Sequence, residues 1–383
     1  MSSAEPTPAL FQPIQVGPVT LQHRVVLAPL TRVRAYASHV PGPQAATYYA
    51  QRGSTPGSLL ISEGTLISQY AGGYEHIPGI YTDEQIEGWK KITDAVHAKS
   101  SYIFAQLWAI GRPAIPSVLA KHDPPSPYVS ASAVALTGKD EPPRPLTEDE
   151  IATYIAAYGT AAHNAVHRAG FDGVEVHALN GYLIDQFIQS VSNTRTDKWG
   201  GDEEGRTRFA REAVAACVKA IGEERVAIRL SPWSTFQDMK MPDPRPTFSY
   251  LVRALRDAHP NMAYLHVVEA RLSGTVDVIP AEHENNDFLR EIWHEGEDGS
   301  KKRIFISAGG YARETALSAA EEKGDLIAFG RSFVSNPDIA SRIEKNIPFT
   351  PSDRSTYYLA GNLTPLGYSD WPFADGRIGE VEA

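Results

Sequence analysis

Short apolar runs rich in β-branched residues recur along the chain, and each is followed by a stretch in which apolar residues return every three or four positions. The runs predict strands at 25–28, 58–62, 102–106, 173–177, 226–230, 263–268, 303–307 and 326–329. The longer period predicts helices at 44–52, 83–98, 148–169, 205–221, 248–258, 287–293, 313–322 and 338–345. Thr147 stands just before the third helix with Glu150 three residues on, which is a capping box, and Gly170 supplies a stop at its far end.

Eight strand and helix units in strict alternation predict an α/β fold of one kind, a single (β/α)8 TIM barrel, in preference to an open doubly wound sheet. The expectation is one barrel domain over residues 1–383, with a polar N-terminal tail of about 1–8 and a C-terminal tail of about 374–383. Two insertions break the alternation, at 107–146 and 269–286. Both follow strands, so they belong to extended loops on the barrel rim where catalytic groups gather. The tip at 120–127 reads as plain surface.

Composition narrows the function classes. The 383 residues are 42% hydrophobic and 21% charged, enough for a large core. A net charge of −10 without a basic stretch argues against nucleic-acid binding. Cys217 is the one cysteine, so an intrachain disulfide and cysteine-based metal sites are excluded and a reducing compartment fits. Residues 1–8 lack an apolar core, and no apolar stretch reaches the ~18 residues that a membrane span needs, so a cytoplasmic protein is expected. His163 and His167 have a zinc-like spacing, but no third ligand accompanies them and no metal is expected. Nor is there a Gly-x-Gly-x-x-Gly fingerprint for a separate dinucleotide domain.

Chemistry concentrates where strands end. The fourth strand runs Gly173-Val174-Glu175-Val176-His177 and continues Ala178-Leu179-Asn180-Gly181-Tyr182. His177 and Asn180 have N–H groups for one substrate oxygen, while the Tyr182 phenol, with an ordinary pKa of about 10, is a proton donor that stays loaded at neutral pH. Thr31, Gly64, Gln106 and Arg229 stand at the ends of other strands. After the seventh and eighth strands come Gly309, Gly310, Gly330 and Arg331, whose backbone N–H groups and guanidinium would cradle a phosphate where barrels commonly hold one. A redox enzyme, a non-redox barrel enzyme of aldolase or isomerase type that uses the cradle for its substrate, and a binding protein without chemistry all fit these residues. No strand-end lysine supports an aldolase.

The chain resembles the old yellow enzyme family from Leu10-Phe11-Gln12-Pro13 to about Tyr368. The matching motifs are Ala28-Pro29-Leu30-Thr31-Arg32, Tyr48-Tyr49-Ala50-Gln51-Arg52, Glu63-Gly64-Thr65, Gln106-Leu107-Trp108 and the His177 to Tyr182 segment. Asn193-Thr194-Arg195-Thr196-Asp197, Arg229-Leu230-Ser231-Pro232, Gly330-Arg331 and Ser335-Asn336-Pro337-Asp338 complete the set in the same order. The resemblance implies a barrel that holds FMN, takes electrons from NADPH and reduces the activated C=C bond of a small α,β-unsaturated carbonyl compound, as a monomer or homodimer. It implies that Pro29, Leu30, Thr31, Gly64, Gln106 and Arg229 hold the flavin ring, with Arg229 placing positive charge near N1 and O2. It also implies that Gly309, Gly310, Gly330 and Arg331 hold the phosphate, that His177 and Asn180 bind the carbonyl oxygen, and that Tyr182 delivers the proton. Trp108, Phe236, Tyr357 and Tyr358 match positions at the mouth of the family's site. Two departures stand out: Ser307-Ala308-Gly309-Gly310 lacks the basic and Asn residues common in that motif, and the loop 271–276 lacks a Pro-aromatic pair. Phosphate contacts at the seventh strand then fall to backbone N–H groups.

Overall fold

Each of the eight apolar runs forms a strand, and the strands close on themselves. The computed structural model describes residues 6–297 and 302–378. The barrel strands are β1 (Val25–Leu27), β2 (Leu59–Ile61), β3 (Tyr102–Trp108), β4 (Gly173–Ala178), β5 (Val226–Leu230), β6 (Tyr264–Val268), β7 (Phe305–Ala308) and β8 (Leu326–Phe329). All pair in parallel with their sequence neighbours, and β8 returns to β1 through Ile327 opposite Val25 and Phe329 opposite Leu27. Closure leaves no unpaired edge.

Alternation along the strands separates two cores. Val26, Leu59, Ile61, Phe104, Ala227, Ile306 and Ala328 pack together inside the barrel with Val16, Val19 and Leu21 of a short antiparallel hairpin, Ile14–Val16 with Val19–Leu21. That hairpin plugs the end where the strands begin. Val25, Leu27, Leu60, Ile103, Val174 and Leu265 point the other way, into the layer covered by helices. At the opposite end the inward positions turn polar, and Gln106, Glu175, His177, Arg229 and His266 share neighbouring rungs.

The helices that cover the strands are α1 (Gln44–Arg52), α2 (Asp83–His97), α3 (Glu148–His163), α4 (Glu203–Ile221), α5 (Arg245–Ala258), α6 (Asp287–His294), α7 (Arg313–Lys323) and α8 (Ile339–Glu344), with shorter helices in the loops. The Thr147 capping box is present, with Thr147 Oγ1 accepting from the Glu150 N–H at 3.3 Å and Glu150 Oε2 accepting from the Thr147 N–H at 2.9 Å. The expected helix 148–169 stays α-helical to His163 and continues as a π-helical turn over Asn164–Arg168. There the Asn164 side chain leaves the helix surface to donate to the Ile80 carbonyl at 2.9 Å. Helix α5 starts three residues ahead of the expected 248, because Pro246 sits in its first turn, where a missing N–H costs nothing. The strand expected at 303–307 lies at Phe305–Ala308.

Both insertions fold back over the rim at the end where the strands finish. The first carries a short helix, Pro116–Leu119, and pairs Val129–Ser130 with Arg144–Pro145; the second forms the hairpin Leu272–Ser273 with Val276–Asp277. No helix among the described residues is long and apolar enough to cross a membrane. Those residues also contain no group of three or more His, Cys, Asp or Glu side chains that could hold a metal ion; the His163 and His167 rings lie 5.0 Å apart.

Candidate active site

A cavity of about 640 Å³ opens where the strands end. Pro29, Leu30 and Thr31 after β1, Gln106 and Trp108 on β3, His177, Asn180 and Tyr182 on and after β4, and Arg229 on β5 all line it. So do Phe236, Tyr357 and Tyr358, and so do Gly309, Gly310, Gly330 and Arg331 beyond β7 and β8. Gly64 is the exception. It is not among the lining residues, and a Cβ there would stand 2.6 Å from Trp108 Cε3, so its place in the chain is to let the indole lie close against the backbone.

The turn after β4 is held from every side. Asn180 takes a left-handed conformation, with φ of 54°. Its N–H donates to Ser231 Oγ at 3.0 Å, and its carbonyl accepts from Gln237 Nε2 at 2.6 Å. Gly181 follows at φ of 74°, where a Cβ would press on Gln237 Cβ at 2.8 Å. Its N–H donates to Asp185 Oδ2 at 2.8 Å, and its carbonyl accepts from Gln186 Nε2 at 2.7 Å. Asp185 and Gln186 lie on a short helix, Leu183–Ile188, that begins directly after Tyr182. Burial pushes the Asp185 carboxyl up to about 7.

These ties bring three rings together. The Tyr182 ring is 5.1 Å from His177 and 4.6 Å from Trp108, edge-on to both, and Trp108 lies 5.5 Å from His177. His177 Nδ1 and Asn180 Oδ1 are buried without a hydrogen-bond partner. Burial, reinforced by the Arg229 charge, drops the His177 pKa to about 3, so the ring is neutral at ordinary pH and has one N–H to donate. Burial and the Tyr74 hydroxyl, which shares a hydrogen bond with Tyr182, push the Tyr182 phenol well above its usual range. Arg229 is itself held below its ordinary value by burial, and its Nε has no partner. A buried guanidinium N–H without a hydrogen-bond partner calls for an electron-rich group in the cavity.

At the other end of the cavity Gly309 and Gly310 have φ of 126° and 63°. The Gly309 carbonyl accepts from Arg271 Nε at 2.6 Å, which fixes the loop from the side. Arg331 forms an ion pair with Asp277 on the rim hairpin. The Ser307 hydroxyl lies 2.8 Å from Asp325 Oδ2 and 3.2 Å from Glu269 Oε1.

Sequence reading alone did not pick out several further residues of the site. Tyr74, Ile115, Val118 and Tyr311 line the cavity from insertions and loops whose composition is unremarkable. Arg32 and Arg34, one and three residues after Thr31, hold the wall that carries Tyr357 and Tyr358. Arg32 donates to the carbonyls of Tyr357 at 3.2 Å and Gly367 at 2.7 Å, and Arg34 to that of Leu366 at 2.7 Å. Buried Glu63 accepts from the Arg32 N–H at 3.3 Å, and burial lifts its pKa to about 7. The signal for this group was present in the sequence as three charged residues inside apolar surroundings.

Residues 9–350 match the model of the NADH:flavin oxidoreductase / NADH oxidase family. A chanoclavine-I aldehyde reductase of Penicillium roqueforti is 50% identical over 98% of this chain and 99% of its own. An NADP-dependent oxidoreductase of Aspergillus flavus is 47% identical over 96% of this chain and 97% of its own. Among solved structures, Old Yellow Enzyme from Pichia sp. AKU4542 superposes with a TM-score of 0.86 at 34% identity, covering 98% of this chain and 96% of that one.

Proposed function

The chain belongs to the NADH:flavin oxidoreductase / NADH oxidase family, and from that premise we propose that it is an FMN-dependent ene-reductase drawing electrons from NADPH. Its substrates are α,β-unsaturated aldehydes and ketones. The residues present suit FMN. Arg229 has a buried Nε without a partner, Gln106 faces the cavity beside it, and Gly309, Gly310, Gly330 and Arg331 lie together at the far end for a phosphate. Bound FMN would supply the hydride for the alkene carbon remote from the carbonyl.

What the chain's own residues do follows from their chemistry. His177 and Asn180 direct N–H groups at the substrate carbonyl oxygen, which draws electron density from the double bond and stabilises the charge that builds on that oxygen. A neutral imidazole suits this task, because it donates a hydrogen bond without giving up its proton. Tyr182 delivers its phenolic proton to the carbon next to the carbonyl. Trp108, Phe236 and Tyr358 supply the flat apolar walls that hold a conjugated substrate.

The observation that carries this reading is the meeting of Tyr182, His177 and Trp108 beside Asn180, with polar atoms of both His177 and Asn180 buried without a partner in the same cavity as Arg229. The relatives' names support the chemistry: one is an aldehyde reductase and one depends on NADP. The test is a stopped-flow screen of the protein, reduced beforehand with NADPH, against a panel of enals and enones. Yellow protein whose flavin is reoxidised by enals supports the reading. Colourless protein that takes up no FMN, or reduced protein that no activated alkene reoxidises, overturns it.

A further inference from the structure

We propose that Glu175 is a positioning residue for the flavin site, setting which end of the Gln106 amide faces the cofactor and counterbalancing the Arg229 charge from below. The inference rests on the FMN reading above. Glu175 is fully buried on β4, one inward position before His177. Its Oε1 accepts from Gln106 Nε2 at 2.7 Å, and its Oε2 lies 2.7 Å from His266 Nδ1. Gln106 stands opposite Glu175 in the β3–β4 register, and His266 stands opposite Arg229 in that of β5 and β6. Four inward residues from four adjacent strands thus form one polar layer just under the cavity.

The charge state of the layer follows from its partners. Contact with His266, the Arg229 charge and the Gln106 hydrogen bond together hold the Glu175 carboxyl below its ordinary range in spite of complete burial. Burial and Arg229 drop the His266 pKa to about 4, so it is a neutral ring that donates its Nδ1 hydrogen. One negative and one positive charge therefore face each other in the floor. An ionised carboxylate accepts hydrogen bonds only, so the amide end of Gln106 that meets it must be NH2. The Gln106 carbonyl oxygen is then the end left for a ligand, and it suits the N–H of a flavin pyrimidine. A Gln106 without this anchor has two orientations, and one of them sets NH2 against that N–H.

The charge balance has a consequence that a purely structural role lacks. Arg229 favours an anionic reduced flavin, and Glu175 directly beneath opposes part of that preference. Removing the carboxylate charge in Glu175→Gln should shift the reduction equilibrium of the bound flavin on the order of ten- to a hundredfold toward the reduced form, as expected for a unit charge several ångströms away at an effective dielectric constant of about 20. The measurement is a spectroscopic titration of the FMN-loaded protein against a reference dye, alongside FMN dissociation and melting temperature. Glu175→Asp, which keeps the charge, should restore the wild-type potential. A melting point that falls while the potential stays put would mean that Glu175 only stabilises the fold, and the proposal is then wrong. If Glu175→Gln alone leaves Arg229 so exposed that the protein does not fold, the comparison moves to the Arg229→Gln background. There the added Glu175→Gln change should still raise the potential, and no rise overturns the proposal. Wild-type protein that binds no FMN defeats the functional reading instead, so the two failures are distinct.

Discussion

His177 on β4 and Arg229 on β5 stand opposite one another in the parallel register, so a neutral imidazole and a guanidinium share one rung at the mouth of the barrel. With its pKa dropped to about 3, His177 keeps one protonation state across the working range. Binding of phenols, which mimic the charged oxygen, should therefore show no limb from His177 between about pH 5 and 9 beyond the ligand's own ionisation. His177→Ala and Asn180→Ala should each weaken phenol binding by ~0.5–1.5 kcal/mol, the net worth of one hydrogen bond. Spectral titration of the flavin band measures this, and wild-type affinity in both variants counts against the pair.

On the FMN reading, Arg331 has two anions to choose between. It pairs with Asp277 of the rim hairpin, yet it also lines the cavity beside Gly330. Arg331→Ala should cost ~1.5–3 kcal/mol of FMN binding, the range for a charge-assisted hydrogen bond. Asp277→Asn removes the competitor, so FMN affinity should hold or rise. Fluorescence titration of flavin-stripped protein reads both, and Arg331→Ala with unchanged FMN affinity sinks the assignment.

The barrel, its eight units and the polar ring at the strand ends were legible because hydrophobic period and strand-end position are local properties. What lay beyond reach was set by contacts between distant segments. Nothing around Gly64 says that its missing Cβ makes room for Trp108. The helix Leu183–Ile188 is short, and its Asp185 and Gln186 are buried polar groups that serve the Asn180–Gly181 turn, so they break the apolar period that would have marked it. The N-terminal hairpin has strands of three residues, too short for alternation to show. Glu175 was visible inside a motif, but only the register of β3, β4, β5 and β6 places it among Gln106, Arg229 and His266.

Stability should depend on pH in two stages. Burial lowers His177 to about 3, and His23 and His266 to about 4, from an ordinary 6.5, so the unfolded chain takes up protons there that the folded one refuses. That loss starts as pH falls below 6.5. Glu63 and Asp185 work in reverse: burial raises both to about 7, so the folded state binds protons first and gains stability as pH drops from 7 toward their ordinary values of 4.5 and 3.8. Between about pH 6.5 and 4.5 the three histidines oppose the two acids and outweigh them by one proton, so the melting temperature should fall gently. Below about 4.5 Glu63 gives no further gain and only Asp185 still offsets the histidines, so the fall should steepen. Calorimetry across this range checks the shape, and His23→Gln should lessen the acid loss.

Tyr182 carries the most discriminating claim, because a buried phenol against Trp108 and His177 would also serve as plain packing. Burial and the shared hydrogen bond with Tyr74 keep its proton in place well past neutral pH. The carbon that gains the proton becomes basic only once negative charge has developed on the substrate, so a weak acid at the right place is sufficient. Tyr182→Phe removes the hydroxyl and keeps the ring, which should preserve the fold, FMN content and reduction by NADPH. Reoxidation by an enone should fall by roughly 10² or more, within the range for loss of a general acid. Quinones and molecular oxygen accept electrons without protonation at carbon, and their rates should be spared. The check is the ratio of the two classes of oxidant in stopped-flow reoxidation. Equal loss with every oxidant would show a structural role, and an unchanged enone rate would hand the proton to water or to another side chain.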